Sequence, residues 1–447
     1  MSLGYLPKGT ERTLRQPLLT WFLAWFVLYG AAAQGQSDLS DAESLHEAQY
    51  ALLDLIRHDV FSAPVASRVY TYANIAFYET LRLAEPERPG VSGRLNGFDE
   101  PPPVAAKLAF DARLAAYVAF WKTAQALLFS DDSADARLQR FLAAWHEQYG
   151  SLTEGSLHVG QIMADWVLKR ASSDNYAATR KMKRYQHRSE EGFWIPTPPD
   201  YAEALEPHWG KIKPLALEDA AQFRPARPPA YDTNGDSAFM QEVQEVYAIS
   251  RNLDSSARLV ALYWDDNPST TVLSGHITYT IKKFSPGAHW LLIAMQALRQ
   301  TRADLHRSSK TYLLVSVALF DGFISCWEEK YFSERVRPVT VIQRHLDYQW
   351  QPLIQTPPFP EYTSGHSVVS AAAATVLTAL FGADFAFTDS AEVRFGLPAR
   401  QFSSFHAAAA EASHSRLLGG IHFRSGLSAG QQQGRQVGEQ VLQRLLY

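Results

Sequence analysis

Three short segments in the last third of the chain carry side chains suited to holding an oxyanion. Lys330 and Arg337 stand seven residues apart in KYFSERVRP, close to two helical turns, so on one helix both cations would share a face. Pro338 disfavours helix at Arg337 and places that arginine at a helix end. Thr363-Ser364-Gly365-His366 precedes an apolar, alanine-rich run. Such a turn predicts a helix start, whose free N–H groups and positive dipole end suit a negative ligand. Gly365 lets the backbone come close, and Ser364 adds a hydroxyl donor. In Ser415-Arg416-Leu-Leu-Gly419-Gly420-Ile421-His422 a Gly-Gly break separates Arg416 from His422, so the two side chains can converge. Taken singly, these segments also read as a solvated basic end, an ordinary Ser-capped helix and a core histidine. Together they make a site for a tetrahedral oxyanion. Arginine forks match its oxygens bidentately, lysine acts as a point charge, one histidine attacks or ligates the central atom, and the other moves protons.

Most of the chain that must position these groups reads as helix. Apolar residues recur at three-four spacing in 41–60 (Leu45, Ala48, Leu52, Leu55, Ile56) and again in 64–84. Further helices are expected at about 104–129, 136–149, 154–172, 255–266, 286–303, 308–331, 366–381 and 427–445. The stretch 173–235 is rich in Pro, Tyr, Arg and Lys, and is expected to run irregularly over the surface. Strand signals are scarce and no solenoid repeat is evident. The expected fold class is all-α, built of packed helical bundles. Three regions follow: a signal peptide over 1–33, an N-terminal helical region over 34–235 that includes the excursion at 173–235, and a C-terminal helical domain over 236–447.

With 46% hydrophobic and 12% aromatic residues, the chain is neither disordered nor a rod. A formal charge of −4 gives no sign of nucleic acid as a partner. Cys326 is the single cysteine, which excludes an intramolecular disulfide and a cysteine metal cluster. Lys8, Arg12 and Arg15 precede the apolar run LLTWFLAWFVLY at 18–29, and Ala31 and Ala33 follow it. This is the pattern of an export signal cleaved after Ala33, and it implies a periplasmic or extracellular protein. No later segment is expected to span a membrane.

The order of Lys330…Arg337-Pro338, then Ser364-Gly365-His366, then Ser415-Arg416…His422 resembles the signature of the type 2 phosphatidic acid phosphatase and vanadium-dependent haloperoxidase superfamily. ASRVYTYANIAFYETL at 66–81, ARLVALYWDDNP at 257–268, Gly287 to Trp290, FDGFISCWEEKYFSERVRP at 320–338 and EASHSRLLGGIHFRSG at 411–426 are similar to its bacterial, chloroperoxidase-like branch. The likeness runs from about residue 40 to the C-terminus and is loose between 85 and 235. It implies vanadate as cofactor, with neither haem nor flavin; phosphate would fit the same site. His422 would be the ligand to the metal. Lys330, Arg337, Ser364, Gly365 and Arg416 would hold the oxygens, His366 would act as acid–base, and Lys330 would polarise peroxide. The implied partners are hydrogen peroxide, halide and a small organic molecule, with hypohalous acid as the product. An exported acid phosphatase working through a phosphohistidine at His422 is the alternative, since vanadate resembles the phosphoryl transition state. A binding protein without catalysis is a third.

Two positions depart from the wider pattern. Thr363 replaces the usual proline before Ser-Gly-His, which should loosen the preset backbone angle. Gly426 stands where many members carry an aspartate that orients the second histidine, and Glu411, Asp321 or a backbone carbonyl would have to substitute. His276, His289, His345, His406 and His414 are expected to be structural or superficial. Trp350, Phe359 and Phe405 are candidates to line the halide side. Asp265 and Asp266 look like a calcium or magnesium pair or, more simply, an acidic helix end.

Overall fold

A computed structural model describes residues 41–105 and 107–447. The expected signal peptide lies outside the described residues. The chain runs α1 (41–58), α2 (Ala63–Leu81), α3 (Ala112–Gln125), α4 (Asp131–Tyr149), α5 (Thr153–Ser172) and the single turn α6 (Tyr176–Thr179). After an irregular stretch come α7 (Ala238–Arg251), α8 (Ser255–Tyr263), a hairpin of β1 (Thr270–Ser274) and β2 (Ile277–Ile281), α9 (Pro286–Gln300), α10 (Leu305–Ser333) and α11 (Pro338–His345). The last elements are α12 (Gly365–Phe381), β3 (Phe387–Asp389), β4 (Arg400–Phe402), α13 (Phe405–Leu418) and α14 (Arg424–Leu445). Both two-stranded sheets are antiparallel, with Val272 opposite Tyr279 and Asp389 opposite Arg400.

Sequence chemistry accounts for the helix starts. Ser62, Asp111, Ser237, Asp254, Ser285, Asp304, Ser364 and Ser404 each accept a backbone N–H in the first turn that follows, satisfying donors a helix leaves free. Asp111 explains why the helix expected from 104 begins only at Ala112. Its carboxylate accepts from the N–H groups of Arg113 and Leu114 and fixes the start there. α11 and α13 and both hairpins were not expected. Each is short, or too weakly patterned to stand out as a period.

Helices α2 and α10 form the centre. All residues of α2 are buried, and the core cluster around it runs from Leu45 to Leu445 and draws on both halves of the chain. By length and composition α10 could cross a membrane, contrary to expectation, but 94% of its most apolar window is buried inside the protein. It is the axis of a protein core. The stretch after α6 is irregular, as expected, yet it does not simply cover the surface. Trp209, Ile212 and Leu215 to Leu217 are buried, and Asp321 on α10 accepts the N–H groups of Leu215, Ala216 and Leu217.

Candidate active site

α10 ends at Ser333, and Glu334 turns the chain at φ 49°. Lys330 and Arg337 therefore do not share a helix face. Lys330 lies in the last turn of α10, whereas Arg337 is extended (φ −86°, ψ 152°) immediately before Pro338 opens α11. The two meet by another route, over the ring of Phe359, with Lys330 Nζ 4.9 Å and the Arg337 guanidinium carbon 5.0 Å from its centroid. Both are fully buried. Burial pulls the lysine down to about 8 and the arginine to about 10.

An ammonium has three donors, and those of Lys330 go to the carbonyls of Pro360, Glu361 and Thr363. The lysine thus ties down the turn that leads into α12. Thr363 adds a second tie, as its hydroxyl donates to Gln433 Oε1 on α14 at 2.7 Å. That bond stands in for the rigidity a proline ring would give. Ser364 caps α12, and Gly365 and His366 open it. A Cβ on Gly365 would meet only Trp327, at 3.6 Å and beyond, so packing within the protein does not demand glycine there. What lies over it is a cavity.

That cavity, of about 320 Å³, is lined by Gly365, His366, Arg416 and His422 together with Asp265 and Asp266. Both histidines thus face one space. Arg416, in the last turn of α13, donates through Nη2 to the carbonyls of Ala261 and Trp264. Gly420, at φ +77°, turns the chain back so that His422 follows into the same cavity.

The state of His422 follows from its partners. Nδ1 lies 2.7 Å from Glu361 Oε1, and Nε2 lies 3.2 Å from Arg337 Nη1. A guanidinium only donates, so Nε2 must be the acceptor; an ionised carboxylate only accepts, so Nδ1 carries the proton. Burial, then the charges of Arg337 and Lys330, push this imidazole well below its usual range, so it stays neutral. The orienting carboxylate is Glu361, not Glu411, Asp321 or a carbonyl. Glu411 binds Arg400 and Trp264, and Asp321 serves the 215–217 amides. Glu361 is fully buried, also receives Arg335 at 3.1 Å, and occupies the space beside Gly426. A Cβ at 426 would stand 2.2 Å from Glu361 Oε1. The glycine and the glutamate are one solution, since the carboxylate arrives from the turn before α12 instead of from α14. Glu361 stands two residues before the Thr363-Ser364-Gly365-His366 turn, but nothing in its spacing said that it would reach His422.

His366 Nε2 lies 3.6 Å from Asp266 Oδ2, and neither atom has a hydrogen-bond partner. Burial, then Arg416, lowers His366 to about 4, and Asp266 opposes that fall. Asp266 is therefore more than an acidic helix end. Of the aromatic candidates, Phe359 lines the cavity, joined by Trp327 and Phe323, which were not expected. Trp350 instead donates to Ser250 Oγ at 2.9 Å, and Phe405 stacks on Phe385 and Phe387.

The donor set suits a small oxyanion with a coordinating centre. Arg337 Nη2 is buried without a partner beside His422, the N-terminus of α12 faces the cavity, Arg416 lines it, and the unprotonated Nε2 of neutral His422 carries a lone pair that accepts from Arg337 Nη1 and for which a coordinating centre would compete. Comparison with known proteins agrees. The family described as "VCPO second helical-bundle domain" matches residues 310–447. Among solved structures, a bacterial vanadium-dependent iodoperoxidase is 41% identical, with a TM-score of 0.86 over 90% of this chain and 96% of that one. Bacterial vanadium-dependent chloroperoxidase in its holo form is 16% identical (TM-score 0.66, 86% of this chain and 92% of that one) and shares the fold. Its apo form is 15% identical (TM-score 0.63, 86% and 94%). No curated protein matches the chain. The chain belongs to the vanadium-dependent haloperoxidase family.

Proposed function

We propose that this is an exported vanadate-dependent haloperoxidase that oxidises halide, iodide foremost, with hydrogen peroxide to a hypohalous acid that halogenates small organic molecules. The single observation that carries the assignment is His422, neutral, with Nδ1–H on Glu361 and Nε2 free of a proton in a cavity shared with His366. Iodide is supported by the similarity to the iodoperoxidase, and export by the basic and apolar segments before Ala33. Bound vanadate supplies a Lewis-acidic metal that activates peroxide without changing its own oxidation state.

The protein's residues do the rest. His422 Nε2 is the ligand. Arg337, Arg416, the Ser364 hydroxyl and the Gly365 amide hold negative oxygens by charge-assisted hydrogen bonds. Lys330, its donors spent on carbonyls, fixes the turn and adds positive charge from behind it. His366 accepts a proton from incoming peroxide, with Asp266 supporting the imidazolium that results. Trp327, Phe323 and Phe359 give an apolar wall that limits water.

The test is reconstitution of the purified protein with vanadate, followed by peroxide-dependent conversion of iodide to triiodide, with bromide, chloride and p-nitrophenyl phosphate run in parallel. Iodide oxidation that needs both vanadate and peroxide is expected. Phosphate ester hydrolysis inhibited by vanadate, without iodide oxidation, would instead establish the phosphatase.

A further inference from the structure

Behind His366 lies a closed group of ionisable side chains, of which only Asp266 reaches the cavity and enters the scheme above. Asp266 follows α8, His289 is in the first turn of α9, Asp389 ends β3 and Glu392 follows it. All four are buried, at 1% exposure or less. His289 Nδ1 lies 2.9 Å from Asp266 Oδ1, and His289 Nε2 lies 2.8 Å from Asp389 Oδ2. Two carboxylates gripping one imidazole require a proton on each nitrogen, and therefore an imidazolium. The ring of Trp264 stacks on it at 4.7 Å and 19°, an arrangement that favours a cation.

Asp266, His289 and Glu392 have the residue types and closeness of a metal site. Both His289 nitrogens are engaged, however, so no lone pair is left for a metal. The carboxylic acid of Glu392 has no hydrogen-bond partner on either oxygen, and burial, then Asp266, raises it to about 8. It is the neutral member. The group then holds two anions and one cation.

We propose that His289 is a positioning residue: clamped as an imidazolium between Asp266 and Asp389, it aims Asp266 at His366 while its own charge offsets part of the carboxylate's pull, and so holds down from behind how readily His366 takes a proton. The inference rests on His366 as the proton-moving residue of the proposed site. Two observations beyond the clamp support it. Asp266 Oδ2, the oxygen turned from His289, is the one 3.6 Å from His366. The carbonyl of Trp264, two residues before Asp266, also accepts from Arg416, so one segment anchors both the proton-moving histidine and an oxyanion-holding arginine. Burial opposes charge on His289, but the two aspartates raise it well above the ordinary imidazole range. The same partnership holds Asp266 low against its burial. The other charged groups facing the group are Arg416 and Asp265 on the His366 side and Lys283 near Glu392. The Tyr263 hydroxyl, which donates to the Asp389 carbonyl at 3.1 Å, stays protonated.

The experiment is a nitrogen-detected histidine titration of the vanadate-free, full-length protein, with His289 assigned by the signal lost in His289→Gln. Both His289 nitrogens should remain protonated at about pH 8, above the usual range. Removing the cation in His289→Gln, or releasing it in Asp389→Asn, should raise the His366 midpoint by about one unit, a tenfold gain in proton affinity. In the vanadate-loaded enzyme the acid-side fall of kcat/KM for peroxide should move to higher pH by the same amount, with KM for iodide unchanged. A neutral His289 in the native protein overturns the proposal, as does an unmoved His366 midpoint in either folded variant. Should His289→Gln not fold, Asp389→Asn and the native titration still decide it. The predicted titrations without halide oxidation would count against the proposed function and leave the clamp standing.

Discussion

At the scale of single residues, the site works by fixing protons. His422 serves as a ligand only while Nε2 is bare, and Glu361 secures that by holding the proton on Nδ1. Glu361→Gln removes the charge but keeps the shape, and its amide can present either an oxygen or an N–H to the ring. Vanadate affinity should then fall about 10- to 100-fold, the usual cost of losing an orienting partner. Equilibrium dialysis with metal analysis reads this directly, and His422→Ala in the same assay should retain no vanadate. His366 titrates at about 4 because burial and Arg416 disfavour its charged form while Asp266 favours it. Above that pH it is neutral and able to accept a proton; below it the base is lost. Asp266→Asn removes the larger of the two favourable charges, Asp265 being the other, so the midpoint must fall further. The acid limb of kcat/KM for peroxide should shift to lower pH, and the rate at neutral pH should drop because the base is weaker. That direction is opposite to the one expected for His289→Gln.

At the scale of elements, the mouth of α12 depends on how closely α14 approaches it. Gly430, Gly434 and Gly438 recur every four residues on α14 and face α12. A Cβ at 434 would stand 2.1 Å from the Val368 carbonyl, and one at 430 would stand 3.0 Å from that of Ser364. Gly434→Ala sets a helix-propensity gain of about 1 kcal/mol against overpacking that costs roughly 1–3 kcal/mol. Here the obstacle is backbone, which cannot rotate aside, so the steric term should win and the melting temperature should fall. The residue types at α12, from Ser364 to the alanine run, were enough to place that helix start to within one residue, expected at 366 and found at Gly365, because capping is local chemistry. The meeting of Lys330 and Arg337 was not legible in the same way. Their spacing suggested one helix face, whereas Glu334 breaks the helix and Phe359, distant in sequence, supplies the surface on which they meet. Glu361 and the His289 clamp escaped notice for the same reason. Glu361 stands 61 residues from His422, and His289 stands 23 and 100 residues from its two aspartates, and no local period reports such pairings.

At the scale of the whole molecule, α10 joins the catalytic end to the N-terminal helices. Lys330 lies at one end of it, Asp321 further in, and α2 packs along it. Asp321 is fully buried, and its carboxylate takes three successive amide N–H groups from the irregular stretch at 215–217. Those residues would otherwise carry unsatisfied donors into the core, at about 1–3 kcal/mol for each donor left bare. This one side chain therefore explains how a proline-rich excursion can dip inward and still fold. Asp321→Ala should destabilise the protein by several kcal/mol, on the order of 2–5 kcal/mol after water enters and the loop relaxes. Hydrogen exchange should localise the effect, with the amides of Leu215, Ala216 and Leu217 losing protection first. The cavity residues lie elsewhere, so the folded fraction of the variant should bind vanadate with native affinity. If affinity instead falls in step with protection, the excursion and the site form one cooperative unit, and Asp321 acts on function through α10.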